Sequence, residues 1–512
     1  MNSSQLLAEI EAPPDALSKN NPVKWLRFFG PGAIIASCTI GSGEVLFSSR
    51  GGAIFGYHIL WIFLLASLMK WVLCYSSMRH MILSGAHPFE RWNHIAGPYG
   101  WFPLFMFIIV LISLPIWYSF LSGVLGTACM WVFGPQEFFS GHDTYWWASI
   151  ALLVAMIIVL IGNYRTLEFA QVALIAMMLA CMVLAVIVLK PDFWLVLQGV
   201  FVPKIPQYPD WVQELKEFRD RTPLLEIMVY ISAIGGASFD YLAYLSFLRD
   251  KKWGASSVGV LPREALEEIS AQKNHVARVW LRAAVIDTVV SFVVIAFLSA
   301  CFSILSTVVL APEHVVPKNE QLLNHQAEFL SAVAPWMVPI YKGAIFAAFL
   351  SILYGGPELG FRVVVEYLNS TSRFRNRFPE RRLRWLFIAW VLMGGLVLLW
   401  VGWAVKQVHP DFSLIKIISP VSIYTGVLTC GFYCLLNPWM DWKFLPPGLR
   451  MNKLLVLLNL IAGVLFVVLG IKASWDDWWY TDQKWHAYLL LGGLLSGTML
   501  AAARLRRFLH ER

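Results

Sequence analysis

The sequence predicts an all-α membrane protein of about twelve helices in which the first and sixth are interrupted. Hydrophobic residues make up 58% of the 512 residues and charged residues 14%, and the mean hydropathy is +0.62. No soluble domain of this size needs so much apolar surface. Two of the apolar runs are broken by glycine near their middle, which is typical of the substrate site of secondary transporters.

The helix count comes from apolar runs of about 20 residues, the length that spans a bilayer. The predicted spans are 30–50, 56–80, 102–133, 146–163, 166–189, 224–248, 279–310, 337–368, 384–404, 412–436, 453–473 and 486–505.

The first interruption is Gly41-Ser42-Gly43, and Glu44 follows it at once. An ionisable side chain at membrane depth is costly and by default marks a functional site. Glycine and serine loosen the helix and free backbone carbonyls, which a lined cavity satisfies and lipid does not. We therefore expect a binding site at this break.

The second interruption is Gly235-Gly236 in the sixth span. The two broken helices each begin a set of five, as an inverted repeat with a site at the bilayer midplane predicts. The resulting division is a tail and one transmembrane domain: 1–22 as a cytoplasmic N-terminal tail, 23–512 as the domain, about 28–190 and 223–436 as the repeats, and 453–505 as two extra helices.

The excess of positive charge lies in alternate short connections, densest at 373–382 after the eighth span. The positive-inside rule then places both termini in the cytoplasm, and compact loops suit a bacterial inner membrane. This distribution places the net charge of +8 at the cytoplasmic face of a lipid bilayer, so the charge does not indicate a nucleic-acid partner. No obligate protein partner is evident from the sequence.

Cofactor and enzyme signatures do not stand out in this chain. All seven cysteines lie in apolar runs without a Cys-x-x-Cys pair, so we expect neither disulfides nor a structural zinc site. No phosphate loop, nucleophile triad or dinucleotide fingerprint rises above chance. We expect no cofactor and no enzymatic activity, with any divalent cation bound as substrate.

Helices one and two carry a family resemblance. Gly30-Pro31, Gly51-Gly52 and the stretch 55–85 resemble the Nramp family of divalent-metal transporters, and Gly126-Thr127-Ala128 and Asp287-Thr288 also fit. The resemblance implies the LeuT-type 5+5 inverted repeat, with the substrate between helices one and six.

The departures from this family fall at its metal site. Aligned without gaps, the family's metal-binding Asp becomes Gly41, its Pro becomes Ser42 and its Asn becomes Glu44. In helix six, Met-Pro-His is replaced by Asp240-Tyr241-Leu242, so a thioether ligand gives way to a carboxylate. The family's proton-linked positions become Phe120, Gly123 and Leu242, which predicts weak or absent proton coupling.

The candidate site is built from oxygen donors alone. Carboxylate, carbonyl and water ligands suit hard cations such as magnesium and manganese. The proposed substrate-binding residues are Gly41, Ser42, Glu44, Gly236, Ser238 and Asp240. A structural alternative is that Glu44 or Asp240 pairs with a buried base such as Arg50 or Arg362.

Three further residues are possible accessories to the site. Glu358 and Arg362 lie four apart on one helix face and can pair, while Gly355-Gly356-Pro357 weakens that helix and would let Glu358 reach the cavity. Asp287 either anchors helix seven or lines an inner vestibule. Lys70 is expected to extend toward a membrane interface.

Two functions remain open from the sequence. The first is an alternating-access transporter of a divalent metal cation, with magnesium or manganese favoured. The alternative is a transporter of the same fold that carries a non-metal small solute, because the small residues Gly41 and Ser42 enlarge the cavity.

Overall fold

The computed structural model describes most of the chain. The described residues are 3–18, 42–136, 141–161, 164–215, 218–219, 221–316, 336–371, 379–408, 414–479 and 495–503.

Helices account for nearly all of this structure. The α-helices are α1 Ser3–Ala8, α2 Asp15–Ser18, α3 Ser48–Phe55, α4 Leu60–Ser84, α5 Pro88–Trp92, α6 Trp101–Phe133, α7 Asp143–Ile161, α8 Tyr164–Leu189, α9 Phe193–Phe201, α10 Asp210–Gln213, α11 Pro223–Ala233, α12 Ser238–Asp250, α13 Arg263–Ala271, α14 Val276–Val279, α15 Leu281–Val309, α16 Met337–Ser370, α17 Glu380–Val408, α18 Leu414–Ile423, α19 Thr429–Phe444 and α20 Lys453–Trp479.

Nine helical stretches in the described part of the chain are long and apolar enough to cross a membrane. The first, Gly43–Ser84, contains two predicted spans, which Gly56 separates with a φ of +61°. Ala176–Leu189 is a shorter apolar helix in the fifth predicted span, and helix at 495–503 overlaps the twelfth. The prediction of about twelve helices is therefore confirmed in outline.

The first predicted span ends later than expected. Its described part opens with a π-helical turn at Ser42–Phe47 and continues as α3 to Phe55, five residues beyond the predicted end at residue 50. Gly41 and the rest of 19–41 lie outside the described residues. Every described side chain from Gly43 to Phe55 is buried, so this segment runs through the protein interior.

The sixth span is interrupted where the sequence predicts. Helix α11 ends at Ala233, Gly235 and Gly236 have φ values of +73° and +90°, and α12 starts at Ser238. Residues that carry a side chain rarely adopt this left-handed backbone conformation, so glycine is required at both positions. The predicted break in helix six is confirmed.

The π-helical turn Ser42–Phe47 and the break in helix six lie in the centre of the helical bundle. Helix α3 packs against α15, while α6 packs against α7, α16 and α17 on another side. Helix α19 packs against α20 and α4, and α11 contacts the π-helical turn Ser42–Phe47 that precedes α3. One continuous hydrophobic core joins these helices and surrounds both the π-helical turn Ser42–Phe47 and the break in helix six.

The N-terminal segment packs on one end of the bundle. Ile10 is 6% exposed and joins a small apolar cluster that includes Leu83, Leu266 and Leu449. The indole of Trp280 donates to the carbonyl of Glu11 at 2.9 Å. Residues 3–18 therefore lie at the end of the molecule that carries the connection between α12 and α15.

Candidate functional site

The break in helix six is held by two charged side chains from other helices. The amide of Gly235 donates to Oε1 of Glu44 at 2.9 Å. The ammonium of Lys70 donates to the carbonyls of Ile234 and Gly236, each at 2.6 Å. A carboxylate and an ammonium thus bind the same three-residue loop.

Lys70 has the most unusual environment of these residues. Its side chain is fully buried, and its Nζ also donates to the carbonyls of Ile231 and Ser232, both at 2.9 Å. These two carbonyls belong to the last turn of α11, where a helix leaves its final carbonyls without partners inside the helix. The expectation that Lys70 extends to an interface is wrong, because these carbonyl oxygens hold its ammonium in the interior.

Glu44 reaches the break because helices one and six touch there. The Glu44 side chain is fully buried. A Cβ on Gly43 would lie 2.3 Å from the carbonyl oxygen of Ala233, so only glycine allows the two backbones to approach this closely. The turn that carries Glu44 is π-helical, a feature that is common at functional sites.

The remaining polar groups of the loop are also bound. The hydroxyl of Tyr241 donates to the carbonyl of Gly235 at 2.5 Å. The amide of Ala237 donates to Oδ2 of Asp240 at 2.7 Å. Asp240 therefore acts as a cap at the first turn of α12, where a carboxylate also interacts favourably with the helix dipole.

Helix α19 closes a further side of the site. The hydroxyls of Ser238 and Thr429 are 2.7 Å apart. A second π-helical turn, Tyr424–Leu428, precedes Thr429, and a Cβ on Gly426 within it would lie 2.3 Å from the carbonyl oxygen of Ser232. Two glycine contacts from different helices thus meet the end of α11.

The structure brings together most of the predicted site. Glu44, Gly236, Ser238 and Asp240 all border the break, whereas Gly41 lies outside the described residues. Ser42 is described by its backbone alone, as the first residue of the π-helical turn. Whether these residues bind a substrate stays a prediction.

The bases that we considered as partners of Glu44 and Asp240 pair with other carboxylates. Arg50 donates to Glu226 at 2.7 Å, and Arg221 also pairs with Glu226. The hydroxyl of Tyr230 donates to the same carboxylate at 2.6 Å. This cluster is buried and ties α3 to α11.

Arg362 belongs to an ion-pair cluster away from the break. It lies 2.8 Å from Asp250 and 3.3 Å from Glu358, so the predicted pairing of Glu358 and Arg362 is present. Arg384 also binds Glu358. Helix α16 is continuous through Gly355-Gly356-Pro357, so the expected weakening that would let Glu358 reach the cavity is wrong.

Asp287, the other accessory candidate, is fully buried in α15 and accepts a hydrogen bond from the hydroxyl of Tyr244 in α12. Tyr244 lies almost two helical turns beyond the start of α12. Asp287 thus links helices six and seven, and this contact lies further along α12 than the loop at Gly235.

The three positions that the resemblance links to proton transport hold apolar residues in this chain. Phe120 is 2% exposed and stacks on Phe47, with ring centroids 6.2 Å apart. Leu242 is fully buried, and Gly123 is part of α6. These three residues offer no titratable side chain.

Sequence reasoning missed Lys70, Thr429 and Glu226. Lys70 lies eleventh in the 25-residue helix α4, close to its middle. The rule that marks an ionisable group at membrane depth as functional, applied to Glu44, would have identified Lys70 as well. Glu226 lies near the start of α11, and no local pattern indicates its partners.

The donor set around the break consists largely of oxygen atoms. It offers the Glu44 and Asp240 carboxylates, backbone carbonyls and the two hydroxyls of Ser238 and Thr429. Within the described residues, no group of three or more His, Cys, Asp or Glu side chains could hold a metal ion. A metal here would depend on backbone carbonyls for several of its ligands.

Comparison with known proteins places this architecture in a family. A profile described as "Natural resistance-associated macrophage protein-like", or Nramp, matches residues 32–415. The NRAMP-like transporter smf-2 of Caenorhabditis elegans is 29% identical over 209 residues, which cover 38% of this chain and 35% of that protein. The chain thus spans about a third of the length of the curated relatives that it matches.

Solved structures agree on the fold. The manganese transporter of Eremococcus coleocola superposes with a TM-score of 0.66 at 16% identity, covering 97% of this chain and 96% of that chain. MhsT, solved with L-phenylalanine, gives a TM-score of 0.53 at 15% identity over 86% of this chain and 98% of that chain. The predicted LeuT-type fold is confirmed. The relatives are named as transporters, which supports the prediction that the chain is not an enzyme. The chain is an integral membrane protein that belongs to the Nramp family.

Proposed function

We propose that this protein carries a divalent metal cation across the membrane by alternating access, with the cation bound between the first and sixth spans. The observation that carries this proposal is the meeting of two irregular helix segments around the buried carboxylate of Glu44. In secondary transporters, discontinuous helices supply free backbone carbonyls for cations at this depth. The names of smf-2 and of the manganese transporter support a metal as substrate.

The proposed substrate is a hard cation such as magnesium or manganese. Glu44 is the principal carboxylate of the proposed site, together with Gly41, Ser42, Gly236 and Ser238. Asp240 contributes charge, although its Oδ2 caps α12. Oxygen ligands disfavour softer metals, which prefer thioether or thiolate sulfur.

The proposed transport is only weakly coupled to protons, or not at all. Phe120, Gly123 and Leu242 stand where the resemblance places titratable groups, and none of the three can exchange a proton. Metal uptake into proteoliposomes that carry a pH-sensitive dye tests this point. Acidification at a rate comparable to metal uptake would contradict it.

The second candidate is a transporter of a non-metal small solute. It is favoured by Lys70, whose ammonium already brings a positive charge to the break and opposes the binding of a second cation. The solute would then bind next to Glu44 through hydrogen-bonding groups of its own.

Calorimetric titration of the purified protein with magnesium, manganese and calcium separates the two candidates. The metal proposal expects binding heat for at least one ion and at least tenfold weaker binding in Glu44→Gln. Glu380→Gln is a suitable control, because Glu380 is exposed at the start of α17. Absence of heat with all three ions, in both proteins, would remove the metal proposal.

We also propose that both termini face the cytoplasm of a bacterial cell. Residues 3–18 pack beside the connection between α12 and α15, which holds Lys251, Lys252, Arg263, Lys273 and Arg278. Positive charge marks the cytoplasmic side. Labelling of a cysteine introduced at Ser3 should require permeabilised cells, and labelling of intact cells would contradict this orientation.

A further inference from the structure

The four oxygen atoms around Lys70 form a cation site within the protein. The carbonyls of Ile231, Ser232, Ile234 and Gly236 lie 2.6 to 2.9 Å from a single nitrogen. Carbonyl oxygens arranged in this way can replace the hydration shell of a cation. In transporters with broken helices, unwound carbonyls and the C-terminal ends of half-helices coordinate the coupling cation. Here an ammonium of the chain itself occupies that kind of site.

The ammonium is matched to this position by charge. An ammonium has three protons for four carbonyls, so at least one proton is shared. The end of α11 also carries the negative end of a helix dipole, which attracts a cation. Since a buried charge is costly unless it is fully bonded, these carbonyls stabilise the protonated form of Lys70 in the interior.

Acidic and polar groups from three other elements face Lys70. They are Glu44 on the first span, Asp240 on α12 and Cys430 on α19. Two carboxylates therefore share the neighbourhood of one internal cation. A divalent cation that approached Glu44 would be repelled by Lys70 and would need several of the carbonyls that Lys70 now holds.

We propose that Lys70 is a built-in competitor of the transported cation: its ammonium occupies the helix-six break in the absence of substrate and leaves these carbonyls when a divalent cation binds. The proposal rests on the proposed metal transport. It assigns Lys70 a positioning role, because the residue sets the shape of the break and the affinity of the site without being a ligand itself.

Substitutions at Lys70 test this competition by calorimetric titration with manganese. Lys70→Met keeps most of the length of the side chain and removes its charge, so we expect at least tenfold tighter manganese binding. Lys70→Arg keeps the charge and should bind manganese no more tightly than the original protein. Equal affinity in the Met variant and the original protein would overturn the proposal, although metal transport itself would stand.

A measurement on the unaltered protein covers the case in which Lys70→Met does not fold. Reductive methylation with formaldehyde, followed by mass spectrometry, reports how accessible each lysine is. Saturating manganese should raise modification of Lys70 several-fold and leave that of exposed Lys252 unchanged. Unchanged modification of Lys70 despite manganese binding would refute the competition. No manganese binding to either the original protein or a folded Lys70→Met variant would instead refute the proposed function.

Discussion

Lys70 and Glu44 bind the two ends of one peptide group. The carbonyl of Ile234 accepts from Lys70 at 2.6 Å, and the amide of Gly235, which belongs to the same peptide unit, donates to Glu44 at 2.9 Å. In a trans peptide these two groups point in opposite directions. The cation and the carboxylate therefore interact through the peptide dipole between them, and a change at one should be felt at the other.

Glu44→Gln should abolish most of the transport and leave the fold intact. The amide oxygen of glutamine can still accept from Gly235, but the negative charge that attracts a cation and balances Lys70 is lost. We expect at least a tenfold fall in metal uptake by proteoliposomes, with the melting temperature in detergent lowered by a few degrees. Uptake equal to that of the unaltered protein would show that this carboxylate does not serve the substrate.

Gly43→Ala should impair both stability and transport. The added methyl group would lie 2.3 Å from the carbonyl oxygen of Ala233, and neither backbone can move without separating helices one and six. Overpacking of this kind costs about 1–3 kcal/mol. Gly343→Ala is the matched control, because a Cβ there meets no heavy atom within 4 Å. Thermal unfolding that is unchanged by Gly43→Ala would contradict the close approach.

The break in helix six could be predicted from the sequence, whereas the groups that bind it could not. Gly235-Gly236 in an apolar run indicates a break, because positive φ values favour glycine. The carbonyls around Lys70 lie more than 160 residues away in sequence, and helical periodicity carries no signal for such a contact. Asp240 shows the opposite case: its spacing from Ala237 fits a helix cap, a local role that competes with its interpretation as a ligand.

Glu226→Gln should destabilise the protein strongly. This carboxylate is 1% exposed and binds both Arg50 and Arg221, so its removal leaves two guanidinium groups in the interior without their counter-charge. Breaking a buried ion pair costs about 3–5 kcal/mol. The melting temperature should therefore fall clearly below that of the unaltered protein.

An exposed ion pair provides the control for this change. Arg263 and Glu267 are 3.0 Å apart in α13, with side chains 82% and 57% exposed. Such pairs contribute about 0.3–0.5 kcal/mol. Glu267→Gln should hardly alter the melting temperature, and a fall as large as that of Glu226→Gln would argue against a special role for the buried cluster.

Substitutions of Asp240 should separate its role as a helix cap from its charge. Asp240→Asn keeps an oxygen that can accept from Ala237, whereas Asp240→Ala removes it, and loss of a cap costs about 1 kcal/mol. We expect a lower melting temperature in the Ala variant than in the Asn variant. Metal uptake by Asp240→Asn should exceed that of Glu44→Gln, since Glu44 is the principal carboxylate, and the reverse order would reassign the site.

The stability of the protein should fall as the pH drops below 6.5, and His87 should account for part of the fall. His87 is fully buried between α4 and α5, where its Nδ1 accepts from the amide of Phe89 and its Nε2 donates to the carbonyl of Leu242. Only the neutral imidazole makes both bonds. Burial, together with the nearby Arg249, lowers the pKa of His87 from 6.5 to about 3.

The direction of this effect follows from proton uptake. Between pH 6.5 and 3 the unfolded chain binds a proton at His87 and the folded protein does not, so acid favours unfolding. At pH 5 the difference amounts to about 2 kcal/mol relative to neutral pH. His87→Asn keeps a good helix cap and does not titrate, so its melting temperature should fall less between pH 7 and pH 5. If both proteins lose the same stability over this range, His87 is already protonated in the folded state or does not contribute.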